Sequence, residues 1–227
     1  MPPPDPHAEW LGNVQPQGVL VTSTALQTHG IVPNANGSAL AELQTLLAAW
    51  TDAPDTPALL TSLFGWQPTD IVPADQLPDD LVVPLPETGH ALRPDHAVAD
   101  PNPAPGAPPW QILIRDVADG ADFDTAVPFG SWSASPHHLM TRLLQGTGVA
   151  TGLLVSGAAI RLIYLPQGET AGHATFPVPE MMEVRGRPML AALHMLLEEQ
   201  RLFGDPSHRL PVLLRDSRRH QADVSAK

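Results

Sequence analysis

Cysteine is absent from the 227 residues, which excludes disulfides, zinc–thiolate centres, iron–sulfur clusters and a cysteine nucleophile. Positive charge is scarce. Twelve basic residues face twenty-four acids, for a formal net charge of −12. Lys227, the last residue, is the sole lysine. Because counterion release from clustered cations supplies most non-specific nucleic-acid affinity, the chain as a whole is a poor nucleic-acid binder by itself. Long apolar runs are also missing. No segment is long enough to span a bilayer, and Met-Pro-Pro-Pro-Asp-Pro lacks the positive start and apolar stretch of a signal peptide. The expectation is a soluble, cytoplasmic protein with no membrane partner.

The charge that is present is unevenly placed. Residues 1–109 hold twelve acids and one base, Arg93; residues 110–184 hold seven acids and three bases; residues 185–227 hold five acids and eight bases. Only the C-terminal segment therefore offers a local positive patch, and a solvated tail is the simpler reading of it.

The most regular stretch starts at Gly148. Thr151–Val155 and Ala158–Leu165 are apolar runs separated by Ser156-Gly157, which predicts two antiparallel strands and a tight turn. In the second run Ile160, Leu162 and Tyr164 alternate with Arg161, Ile163 and Leu165, so both faces are largely apolar. Such a strand lies inside a sheet covered on both sides, in an α/β core. Ser135-Pro136 is a helix start followed by apolar Leu139, Leu143 and Leu144. From Pro188, the residues Met189, Leu193, Leu196, Leu197, Gln200 and Phe203 predict one helix with a strongly apolar stripe, ending before Gly204-Asp-Pro.

Elsewhere the pattern is looser. Residues 1–9 are expected to be disordered, and Val19–Val21 is a strand candidate. Ser38 is positioned to cap a helix bearing Leu40, Leu43, Leu46, Leu47 and Trp50. Leu59–Phe64 reads as a second short helix. Trp10, Trp50 and Trp66 read as core anchors. Residues 10–92 thus form an acidic helical or docking part, and residues 93–109, with six prolines, a connector. Trp110–Val117 is a strand that opens an α/β core over 110–204. Residues 205–227 read as an arginine-rich tail, polar and without a folded element from Ser217 onward.

Few motifs bear chemistry. Gly146-Thr-Gly148 lies between a helix and a strand, the reverse of a phosphate loop, and reads as a helix C-cap. Asp116, Asp119, Asp122 and Asp124 cluster but lack the ligand spacing of a calcium loop. His137-His138 are adjacent, unlike the i, i+4 pair of a zinc helix. Ser156 lacks the nucleophile-elbow context. Arg185-Gly-Arg-Pro sets two arginines before a helix start, which suits either an anion site or a turn paired with Glu180 or Glu183.

Taken together, several phrases resemble a known family. They are Glu9-Trp-Leu-Gly-Asn-Val-Gln-Pro-Gln-Gly-Val-Leu-Val, Pro109-Trp-Gln-Ile-Leu-Ile, Trp132-Ser-Ala-Ser-Pro, Gly148-Val-Ala-Thr-Gly-Leu-Leu-Val-Ser-Gly, Arg161-Leu-Ile-Tyr-Leu-Pro-Gln-Gly-Glu and Met182-Glu-Val-Arg-Gly-Arg-Pro. They are similar to the N-terminal region of large fused, type IIG-like restriction–modification DNA adenine methyltransferases. That resemblance implies a degenerate PD-(D/E)XK nuclease-like fold, with a mixed central sheet, its hairpin at about 151–165 and an irregular proline-rich N-terminal half.

The chain departs from the family pattern at the chemistry. It contains neither the Asn-Pro-Pro-Tyr motif nor an S-adenosylmethionine loop, so any methyl transfer and its cofactor belong to a separate methyltransferase part. It contains no Glu-x-Lys, and Gln111 and Leu113 stand on the candidate strand. The expectation is a non-catalytic accessory module, a separate subunit or a truncated front of such an enzyme. Arg161, Arg185, Arg187, Arg218 and Arg219 would face the methyltransferase partner or DNA. Two other readings stay open: a divergent metal-dependent nuclease using Asp116, Asp122 or Asp124 with Glu169, and an interaction protein unrelated to DNA.

Overall fold

The computed structural model describes residues 5–87, 89–118, 120–130 and 132–225. In chain order it contains α1 (Ala8–Val14), α2 (Ser23–Thr28), α3 (Gly37–Asp52), α4 (Thr56–Phe64), β1 (Ile71–Pro73), β2 (Val83–Leu85), β3 (His90–Leu92), β4 (His96–Ala99) and β5 (Trp110–Asp116). There follow β6 (Val127–Phe129), β7 (Trp132–Ala134), α5 (Pro136–Thr147), β8 (Thr151–Val155), β9 (Ala159–Tyr164), β10 (Gly172–Pro177), α6 (Val178–Met181), α7 (Arg187–Leu197), α8 (Glu199–Phe203) and α9 (Leu210–Ser225). The class is mixed α/β. Two compact units divide the chain, one made of residues 1–66 and 172–227, the other of residues 67–171.

The second unit is built on a mixed sheet in which its strands run in the order β1-β4-β5-β8-β9. β1, β4 and β5 pair antiparallel, β5 and β8 pair parallel, and β8 and β9 close the sequence-predicted hairpin with Thr151 opposite Tyr164 and Val155 opposite Ile160. Parallel neighbours need a crossover, and α5 supplies it. Ser135 caps α5 by accepting the His138 N–H, Pro136 fills the first turn, and Gly148 ends the helix with φ of 74°. That left-handed C-cap is the role expected for Gly146-Thr-Gly148. Met140, Leu143 and Leu144 pack beneath α5 with Leu113, Leu154 and Ile163 of the sheet. All of Ile160 to Leu165 is buried, as a strand apolar on both faces requires.

Residues 93–109, expected to be a connector, instead contribute β4, whose Ala97 and Val98 are fully buried between β1 and β5. The strand spans only four residues in proline-rich surroundings, which hides its alternation.

In the first unit α7 is the central helix. Met189 to Leu193 and Met195 to Leu197 are buried around its circumference, which makes it an interior helix and not a one-striped surface one. α1, α3, α4 and β10 pack on it. Trp10, Trp50 and Trp66 are buried as expected, and the Trp66 indole donates to the Leu197 carbonyl at 2.6 Å.

Five local expectations are corrected. The helix expected over 188–203 breaks at Glu198, whose ψ is 152°, so α7 and α8 are separate; the Glu198 carboxylate lies 3.4 Å from Arg201. Asn36, not Ser38, caps α3, its side chain accepting the Ser38 and Ala39 N–H groups. Val19–Val21 forms no strand; a single bridge joins Gln17 to His173 nearby. The expected disorder of residues 1–9 fails at its described end: His7 is fully buried and α1 starts at Ala8. The tail folds as α9, because Leu210, Leu213, Leu214 and Ser217 form a buried stripe. The Ser217 hydroxyl accepts from the Thr22 N–H.

Candidate functional site

In open α/β sheets ligands gather beyond the carboxyl ends of parallel strands. Here that place is the end of β5 and β8, where Asp116 sits opposite Val155. β4 runs antiparallel to β5, so the residues that begin β4 arrive at the same end. The Asp95 N–H donates to Ile114, and the Asp116 N–H donates back to Oδ2 of Asp95 at 2.9 Å. His96 Nε2 lies 3.4 Å from Oδ2 of Asp116. Burial raises the Asp95 carboxyl above the usual carboxylate range, against the hydrogen bond from Asp116 that lowers it. Burial likewise pushes Arg115 down, with Asp95 and Asp116 opposing. Asp116 was foreseen; Asp95, His96 and Arg115 were not. Their contact is made across β4 and β5, and no local spacing records it.

The other acidic candidates are held elsewhere. Asp124 receives both terminal nitrogens of Arg161, at 2.6 and 2.7 Å. The guanidinium also lies 5.2 Å over the Phe123 ring. Arg161 is buried, so it is a structural cation of β9 and not a surface contact for DNA. His137 is close by: its N–H donates to the Phe123 carbonyl, and its imidazole is pushed down by burial and then by Arg161. Asp122 accepts from the Asp124 N–H at 2.6 Å, a local turn bond. Asp119 lies outside the described residues.

Glu169 follows β9 in a turn closed by its N–H donating to Pro166. It lines a recess with Gln145, Gly148, Leu165, Pro166 and Gln167. β9 leaves the sheet at Tyr164, opposite Thr151, whereas Asp116 is level with Val155 at the other end of β8. Four residues of strand separate the two levels, about 13 Å. Asp116 and Glu169 are thus not brought together. Gln111 is buried and donates to the Ala99 carbonyl, and Leu113 is in the core. Among the described residues no group of three or more His, Cys, Asp or Glu side chains is arranged to hold a metal ion.

In the first unit the Arg185-Gly-Arg-Pro element divides. Arg185 is exposed and pairs with Glu183 at 2.7 Å, which is the turn alternative. Arg187 points differently, donating through Nε to Oε1 of Gln44 at 3.0 Å. On α9, Arg219 lies 3.7 Å from Asp216, and Arg218 is half-buried. Ser156 is buried, and its hydroxyl accepts from the Ala159 N–H within the hairpin turn.

No helix of the described residues is long and apolar enough to cross a membrane. No family model, no curated protein and no solved structure matches this chain.

Proposed function

We propose that this chain is a non-catalytic module of a restriction–modification DNA adenine methyltransferase, serving partner or DNA engagement while methyl transfer and S-adenosylmethionine binding reside in the methyltransferase part. The reading rests on the resemblance of its sequence phrases to that family and on one structural observation. The bidentate Arg161–Asp124 pair binds the most acidic loop of the sheet into the core, where a buried cation needs its carboxylate for stability. A carboxylate so engaged is a poor metal ligand. Its companions do not converge either, since Glu169 and Asp116 occupy opposite ends of β8.

Surface chemistry supports engagement. Val184, 72 % exposed, stands beside the exposed Arg185, and Met182 is also exposed. Methionine and arginine are among the residues enriched at protein interfaces.

A second reading, the divergent nuclease, is favoured by one observation: Asp95 and Asp116 meet at the carboxyl end of β5. The two are separated by incubating the purified chain with supercoiled plasmid in magnesium or manganese. The accessory reading expects intact plasmid. Cleavage that is lost in Asp116→Ala would establish the nuclease.

A further inference from the structure

The attachment of α1 to the first unit turns on one buried ring. His7 precedes α1 and is fully buried, and its Nδ1 accepts the Trp10 indole N–H at 3.2 Å, the two rings meeting edge-on at 89°. An Nδ1 that accepts carries no proton, so this contact requires the neutral imidazole with its hydrogen on Nε2. Nε2 is buried as well, beside the Ile31 carbonyl but outside hydrogen-bonding geometry. A cationic imidazole needs acceptors at both nitrogens. The site sets a donor against one of them and serves the other poorly, where water does not reach.

Asp5 fixes the approach to the ring. Its Oδ1 accepts the His7 backbone N–H at 2.9 Å and the Gln27 side-chain N–H at 3.1 Å, and its Oδ2 accepts the Ser23 hydroxyl at 2.6 Å, so the start of the segment is tied to α2. Burial lowers the His7 imidazole below its ordinary value, against Asp5, which favours the proton. The other elements bring no counter-charge. Glu9 of α1 is exposed, and Ser23 and Gln27 of α2 are uncharged. α7, on which α1 packs, carries Arg187 at its start and His194 in its last turn, and β10 carries His173.

α1 has only seven residues and ends at Gln15 with a left-handed φ of 46°. A helix of that length does not persist in water by itself. Its buried anchors are His7, Trp10 and Val14, and two of the three meet in the contact that a proton on Nδ1 removes. Short elements held by few buried side chains open at lower free energy than the core. We infer that His7 is a proton-operated latch: the neutral ring locks residues 5–14 onto the first unit, and protonation frees α1 locally, ahead of global unfolding. Release uncovers Trp10, Val14 and the face of α7 on which α1 packs. The inference is independent of the methyltransferase reading, since it rests on residues of the first unit alone.

The test is amide hydrogen exchange on the whole chain between pH 7 and pH 5.5, corrected for intrinsic rates, with the His7 ring titrated in parallel by NMR. The amides of Leu11 and Gln15, which donate to the His7 and Leu11 carbonyls, report on α1; those of α7 and β5 report on global opening. Protection at Leu11 and Gln15 is expected to fall by about two- to eightfold more than at α7 and β5, with a midpoint that follows the His7 titration. In His7→Asn the amide oxygen keeps an acceptor for Trp10 and cannot take a proton, so α1 stays protected and the extra pH dependence disappears. Protection of α1 that is independent of pH, that falls only in step with α7 and β5, or that departs from the His7 titration would overturn the latch in the unsubstituted chain. So would an unchanged pH dependence in His7→Asn.

Discussion

Both carboxylate oxygens of Asp124 are held by the terminal nitrogens of Arg161, and the two residues differ in their access to water. The Arg161 side chain is 6 % exposed and that of Asp124 is 62 % exposed. The loop residue therefore comes to the core cation, and the pair fixes the segment between β5 and β6 onto β9. Removing the carboxylate leaves a buried guanidinium without its charged partner, and solvent at Asp124 moderates the loss. Asp124→Asn is expected to lower stability by about 1–2 kcal/mol, measured by urea denaturation. A change smaller than experimental error would contradict the role of the pair.

The turn that precedes Arg187 depends on a close backbone approach. A Cβ placed on Gly186 would stand 1.9 Å from the Glu180 carbonyl oxygen, which no side-chain motion relieves. Gly186→Ala is expected to cost about 1–3 kcal/mol and to shift the amide resonances of Arg185 to Leu190. Gly168→Ala is the contrasting control: nothing surrounds that position, and only the left-handed φ of 79° resists it.

Acidification should destabilise the protein. Burial lowers the imidazole pKa of His7, His137 and His194 below the ordinary 6.5. The unfolded chain then binds more protons than the folded one between the depressed values and about 6.5, so stability rises with pH across that window and is lost as pH falls through it. His7 has a geometric reason as well, because its Nδ1 accepts the Trp10 indole N–H at 3.2 Å and a proton there would remove the acceptor. The melting temperature is expected to drop between pH 7 and pH 5.5. A rise would contradict the burial of these rings.

Asp95 has the opposite sign. Its pKa is raised by burial, so the folded state holds the proton more tightly than the unfolded state, and this contribution is lost as pH rises through the raised value. Asp95→Asn keeps an amide oxygen for the Asp116 N–H and removes the desolvated charge. It is expected to raise the melting temperature at pH 7, with the gain vanishing in acid. Destabilisation at pH 7 would mean that His96 and Arg115 make the charge worth its burial.

Local signals explain which parts of this architecture are legible in the sequence. Ser156-Gly157 between two apolar runs and Ser135-Pro136 before a leucine stripe are short-range codes, and the β8–β9 hairpin and α5 follow from them. α9 is obscured because arginines and aspartate surround its apolar stripe, which is thin and ends in Ser217. The break at Glu198 leaves no Pro or Gly to announce it, and Leu202 continues the apolar spacing across it. The candidate sites were the least legible. Asp95 with Asp116, Asp124 with Arg161 and Arg187 with Gln44 are 21, 37 and 143 residues apart. Residue type alone could nominate Asp116, Arg161 and Arg187, but only the fold could assign their neighbours.

The central claim is tested most directly by affinity purification of the tagged chain from its native cells, with the eluate assayed for methyl transfer from S-adenosylmethionine to adenine in DNA. The account predicts adenine methylation that co-purifies with the chain and is absent from a mock purification. An eluate that contains the chain but transfers no methyl groups would contradict it.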